Sequence, residues 1–278
     1  MKQIISVAFA VSMAGLVACG GGSGSDDSSS ENSGSETSSS EVNPAPTANQ
    51  RISNALLSGN VSGLESTDKK TLLDQAITEA NAQNNYISGV LSSIYGGNVD
   101  PTLNIGTGTS TSIGVQSATT AIPYIVSNGG RGMAALTSLG KGRGMAYGAN
   151  VLNWMANDSK ESQHYPLFLR GFKWLVTGSA TGTLPSTIKY VATGYDSATV
   201  SKFITRAGST GQALNCNVTD SSNTCWEEAD LIMFGGSVAA SDELATLVRK
   251  YLDAGKAVMY MQPGWTEAAG GRQVVTAM

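Results

Sequence analysis

The chain carries one histidine, His164, and three cysteines, Cys19, Cys216 and Cys225. These side chains bound the chemistry available to it. One imidazole cannot build an H-E-x-x-H zinc site or a His-rich metal cage. Three thiols cannot build a four-thiolate zinc or iron–sulfur site. His164 lies in Gln163-His164-Tyr165-Pro166, with no acid or base that sequence can assign to it, so it reads as structural or surface rather than as a general base. Ser237 follows Gly235-Gly236 at the end of an apolar run, which sketches a nucleophile elbow. Val238 and Ala239 break the G-x-S-x-G frame. The catalytic set expected from sequence is therefore empty, and Gly235, Gly236 and Ser237 stand only as candidate binding positions.

Other groups have binding chemistry. Trp154, Trp174, Trp226 and Trp265 could stack on sugars. Trp174 falls in a helical apolar pattern and reads as core, whereas Trp226 and Trp265 sit at loop edges and are the expected glycan platform. Glu227, Glu228 and Asp230 form an acidic cluster without EF-hand spacing, read as the solvated start of a strand. Gly140-Lys141-Gly142-Arg143-Gly144 looks superficially like a phosphate cradle. No Lys-Ser/Thr follows it and apolar runs flank it, so it reads as a hairpin turn.

The chain has 278 residues and a net charge of −4. The charge is unevenly placed. Residues 1–50 hold Lys2 against Asp26, Asp27, Glu31, Glu36 and Glu41, and residues 51–278 balance sixteen basic with sixteen acidic side chains. A neutral body offers no electrostatic footprint for nucleic acid.

The elements that must position these residues begin after an address. Ile4–Val17 is an apolar run of fourteen residues behind Met1-Lys2-Gln3. That is too short to span a bilayer and fits a signal-peptide core. Leu16-Val17-Ala18-Cys19-Gly20 resembles the bacterial lipobox, which implies lipidation of Cys19 and a membrane anchor. Gly20, where Asp would favour inner-membrane retention, points to the outer membrane or cell surface. Residues 1–18 are then the signal peptide. Residues 19–50, rich in Gly, Ser and acidic residues, are a disordered tether. With Cys19 lipidated, Cys216 and Cys225 are the even pair in an oxidising compartment, and a disulfide closing their polar loop is expected. A free thiol or a metal pair are the competing readings.

Residues 51–100 read as a helical segment. Leu72, Leu73, Ala76, Ile77 and Ala80 form a stripe continued by Tyr86, Ile87, Val90, Leu91 and Ile94. Thr67 or Asp68 are its candidate N-caps. Residues 101–278 read as α/β. Strands are expected at 121–127, 131–139, 143–148, 187–192, 229–234 and 256–261, with helices at 166–176, 196–206 and 241–254. Strand–helix–strand units imply right-handed crossovers and a three-layer, mostly parallel sheet, flavodoxin-like in outline. Such sheets take ligands at the carboxyl ends of their strands, here Gly235-Gly236-Ser237 and Gln262-Pro263-Gly264-Trp265.

The runs Gly142–Gly148, Pro166–Leu175, Glu228–Gly236 and Tyr251–Ala257 resemble a glutamine-amidotransferase-like domain. The variant they resemble occurs in the N-terminal regions of bacterial immunomodulating metalloproteases, mucinases and accessory colonisation lipoproteins. The resemblance implies a lipid-anchored, non-catalytic region of a zinc protease directed at mucin-type O-glycoproteins. Its partners would be the membrane and glycoprotein glycans. No cofactor is expected in this chain, zinc belonging to a downstream protease domain. The departures are the missing H-E-x-x-H helix and the missing Cys after the strand ends. The abrupt stop soon after a strand suggests the front piece of a longer protein. A stand-alone glycan- or peptide-binding lipoprotein and an uncharacterised α/β hydrolase are the alternatives.

Overall fold

The computed structural model describes residues 45–96, 110–117, 120–127, 129–157, 164–262 and 269–278. Cys19, the lipobox, most of the tether and Trp265 lie outside the described residues.

The first described element, α1 (Ala48–Ser58), starts on a reciprocal cap between Thr47 and Gln50 and stops at Gly59 in the left-handed region. A 30-residue helix, α2 (Ser66–Tyr95), follows. Its N-cap is Glu65, not Thr67 or Asp68. Asp68 lies within the first turn, and its carboxylate reaches back to accept the Glu65 N–H at 3.1 Å. The same carboxylate takes the Arg51 guanidinium at 2.6 and 3.0 Å, tying α1 to α2. The apolar stripe makes the helix, but only its far end is packed. Val90 and Ile94 are buried, while Leu73 and Ile77 are 59% and 49% exposed.

Among the described residues seven strands form one sheet: β1 (Ala121–Val126), β2 (Gly132–Leu139), β3 (Gly142–Tyr147), β4 (Thr187–Thr193), β5 (Thr210–Ala213), β6 (Leu231–Gly235) and β7 (Ala257–Met261). Their order is β1-β2-β3-β7-β6-β4-β5. The first three are antiparallel, and every pairing from β3 to β5 is parallel. Gly140 and Lys141 make the tight β2–β3 turn, with Gly140 at φ +59°. This is the hairpin expected in place of a phosphate cradle. Strands β6 and β7 are buried at every position, as central parallel strands covered on both faces must be.

Two helical layers cover the sheet. The end of α2, α3 (Val151–Asn157), α4 (Tyr165–Thr177) and α5 (Ser197–Arg206) pack on one face. The other face carries α6 (Leu244–Asp253), α7 (Ala269–Ala277) and the 214–229 loop. Pro166 opens α4, Gly178 closes it in the left-handed region, and Trp174 is core. Arg143 donates to the carbonyls of Leu175 and Val176 at 2.9 and 3.2 Å, placing a cation on the last turn of α4. Asp196 caps α5 through the Ala198 and Thr199 amides. The helix expected from Ser241 begins only at Leu244, after a turn. Sequence reading placed no element at β5, α3 or α7.

Candidate functional site

In a doubly wound sheet the ligand crevice opens where neighbouring parallel strands send their connections to opposite sides. Here β4 leads through α5 to β5, and β6 leads through α6 to β7, while β4 and β6 are themselves paired. The switch point is therefore between Gly194-Tyr195 and Gly235-Gly236-Ser237. The sequence-predicted residues of the β6 end do arrive at this position.

The crevice is closed by the chain itself. A Cβ added to Gly235 would lie 1.9 Å from the Gly194 carbonyl oxygen, and one on Gly194 would lie 2.5 Å from the Val238 nitrogen. Gly194 has φ +66°, which a residue with a side chain rarely adopts. Glycine at 194 and 235 thus lets two loops touch rather than leaving room for a ligand's phosphate. Ser237 is exposed, and its hydroxyl donates to the Gly194 carbonyl at 2.7 Å. A hydroxyl held by a carbonyl is latched, not activated by a base, so the elbow reading of Ser237 finds no support in the geometry. Gly236 is buried, its N–H given to the Met261 carbonyl at 3.1 Å.

Neighbouring polar groups at this edge also bond to one another. The Tyr195 hydroxyl donates to the Asn150 side-chain oxygen. Burial, reinforced by the nearby Asp196 charge, pushes this phenol well above its ordinary range, so it stays a neutral donor. Gln262 is buried; its backbone N–H donates to the Tyr147 carbonyl at 3.0 Å, and its side-chain oxygen accepts from the Tyr260 hydroxyl. Sequence reading missed Asn150 and Tyr195. Their signal is position alone, just past the ends of β3 and β4.

Trp226 requires a correction. It is not an exposed platform but 4% exposed, in a short 3-10 turn (Cys225–Glu228). Its ring lies 4.9 Å from that of Tyr251, with the Lys250 and Lys256 ammonium groups 5.2 and 6.0 Å from its centre. A disulfide joins Cys216 to Cys225 beside it, with Cα atoms 5.7 Å apart. Tyr251 donates to the Val218 carbonyl at 2.6 Å, pinning the closed loop to α6. The side chain seen at a loop edge in sequence is the anchor by which that loop is held down.

His164 is buried at 2% exposure, in the N-cap position of α4. Glu228 pairs with Lys189 at 3.2 Å, and Asp230 accepts the Lys189 backbone N–H at 2.8 Å, as the start of a strand. Among the described residues no cluster of three metal-ligating side chains occurs. With one buried imidazole and two thiols spent in a disulfide, the donor set does not fit a catalytic zinc. No step through such a metal is assigned to this chain.

Fold and site together define a three-layer α/β module whose switch-point crevice is filled by its own loops. Residues 90–278 match the family described as the immunomodulating metalloprotease N-terminal domain, and the chain belongs to that family. The immunomodulating metalloprotease of Pseudomonas aeruginosa is 30% identical over 159 residues, covering 56% of this chain and 17% of that protein. The structure of IMPa from Pseudomonas aeruginosa in complex with an O-glycopeptide is similar with a TM-score of 0.71 and 25% identity. It covers 84% of this chain and 26% of the IMPa chain. The IMPa metallopeptidase in complex with T-antigen gives the same values. The chain thus spans about a quarter or less of the length of these relatives.

Proposed function

We propose that this chain is the lipid-anchored, non-catalytic N-terminal region of a zinc metalloprotease directed at mucin-type O-glycoproteins, and that it binds or positions the glycoprotein at the bacterial surface. Its membership of the metalloprotease N-terminal family carries the reading. Solved relatives are described in complex with an O-glycopeptide and with T-antigen, which makes an O-glycosylated partner the natural one to test. Leu16-Val17-Ala18-Cys19 and the acidic, Ser-rich tether support export and anchoring in the outer membrane through Cys19. Trp265, four residues after β7 in the sequence, is the aromatic assigned to the glycan in this reading. The zinc and its H-E-x-x-H helix belong to a downstream protease domain.

The test is equilibrium binding of the full chain to a peptide bearing T-antigen and to the same peptide unglycosylated. Saturable binding of the glycosylated peptide alone, weakened by Trp265→Ala, is expected. Equal binding of both peptides, or of neither, overturns the glycoprotein role. Separately, radiolabelled palmitate fed to the producing bacterium should label the chain and leave Cys19→Ser unlabelled. Equal labelling of both would overturn the anchor alone.

A further inference from the structure

The face of the sheet beneath α6 and α7 is unevenly filled. On its parallel side the inward residues are bulky: Tyr260, Phe234, Val258 and Ile232. In the same rows on the antiparallel side they are small. Ala135 and Ala146 pair in register and lead to Tyr260, and Thr137 pairs with Gly144 and leads to Val258. Helices α6 and α7 reach this part with Arg249, Val275 and Thr276. It is roofed by the irregular 110–117 segment, fixed by the Thr111 and Ile113 amides donating to the Gly148 and Gly132 carbonyls at 2.7 and 2.8 Å. A recess of about 120 Å³ remains between floor and roof, walled by Val115 and Val275, with Arg249 lining it.

Two polar groups mark this recess. Thr137 is 4% exposed, and its hydroxyl has no hydrogen-bond partner. A buried hydroxyl left unpaired is costly, so its retention needs a reason. Arg249, from α6, is exposed and makes no ion pair among the described residues. An apolar cavity of about 150 Å³ takes a benzene-sized molecule, so this recess has room for about five or six non-hydrogen atoms.

We propose that the recess binds a small organic acid. Its short aliphatic body lies over Ala135 and Ala146, its carboxylate pairs with the Arg249 guanidinium, and the Thr137 hydroxyl supplies the buried donor. The site is separate from the carboxyl edge of the sheet and stands independently of the glycoprotein reading. Guanidinium–carboxylate pairing explains the cation, and the alanine floor explains the size limit.

The experiment titrates the full chain, purified in detergent, with butyrate and 3-hydroxypropionate, following binding by ligand-observed NMR. Saturable binding in the millimolar range or tighter is expected. Arg249→Gln should weaken it at least tenfold while leaving the melting temperature unchanged. Ala135→Ile, which fills the recess, should abolish it. Thr137→Val removes the unpaired hydroxyl, so the unliganded protein should melt at the same temperature or higher while 3-hydroxypropionate binds more weakly. Absence of saturable binding overturns the proposal. So does equal binding of butyramide, of inorganic phosphate, or of butyrate to the Arg249→Gln and Ala135→Ile chains.

Discussion

At the scale of single residues, two groups show how the chain holds its outlying parts. The Cys216–Cys225 bond closes a loop that otherwise rests on Trp226 and on the Tyr251 hydroxyl. Cross-linking so short a loop restricts the unfolded chain modestly, and Cys216→Ala/Cys225→Ala should cost about 2–3 kcal/mol by urea denaturation. An unchanged urea midpoint would show that Trp226 alone holds the loop. Asp68 is the second group. Its hydrogen bond to Arg51 and the Glu65 amide outweigh burial and hold its carboxyl below the usual range. A lowered folded pKa stabilises the docked helix above the unfolded value of about 4, and that contribution is lost as pH falls through the folded value. Hydrogen exchange in α1 should therefore accelerate on acidification below about pH 4, and the step should vanish in Asp68→Asn. The same acceleration in both proteins would assign the step to another carboxylate.

At the scale of elements, the touching loops at the ends of β4 and β6 turn a ligand crevice into a packed corner. Gly235→Ala forces the Gly194 carbonyl away from a Cβ placed at 1.9 Å. Overpacking at a backbone contact should cost about 3 kcal/mol or more, read as a lowered urea midpoint. Ser237→Ala should cost only about 1 kcal/mol, the net value of one hydrogen bond. A larger loss for Ser237 than for Gly235 would reverse this account of the corner. These contacts also mark where sequence reading stops. The strands around Tyr190, Met233 and Met259 were legible because their apolar runs are bounded by glycine and proline, and α4 and α5 because Pro166, Gly178 and Asp196 punctuate them. By contrast the first turn of α7 holds Gly270-Gly271, poor helix formers kept because a Cβ there would lie 2.2 Å from the Val238 carbonyl and 2.5 Å from the Tyr260 hydroxyl. Strand β5, with the sequence Thr-Gly-Gln-Ala, has no apolar periodicity to detect. Trp226 was misplaced because a residue in a polar loop gives no local sign of the ring it will meet from α6.

At the scale of the whole molecule, the chain is an α/β body with a helical arm. The body is consolidated on both faces of the sheet by two apolar clusters. Among the described residues the arm meets the body along the last turns of α2, where Tyr95 donates to the Tyr124 carbonyl and Arg170 reaches the Ile94 carbonyl at 3.4 Å. A helix rises about 1.5 Å per residue, so Ser66 lies roughly 30 Å along α2 from the docked Ile87. Past the Arg51–Asp68 tie, Leu73 and Ile77 remain largely exposed, and packing reinforces the helical hydrogen bonds little there. Stability should then fall steadily along one continuous helix. Native-state hydrogen exchange should protect Ile87–Tyr95 nearly as well as β6 and β7, while amides from Thr71 to Gln83 exchange much faster. Arg51→Ala, which unfastens α1 from Asp68, should accelerate the fast group and leave β6 and β7 unchanged. Equal protection along α2, or loss of protection in the sheet with Arg51→Ala, would show that the arm and the body fold as one unit.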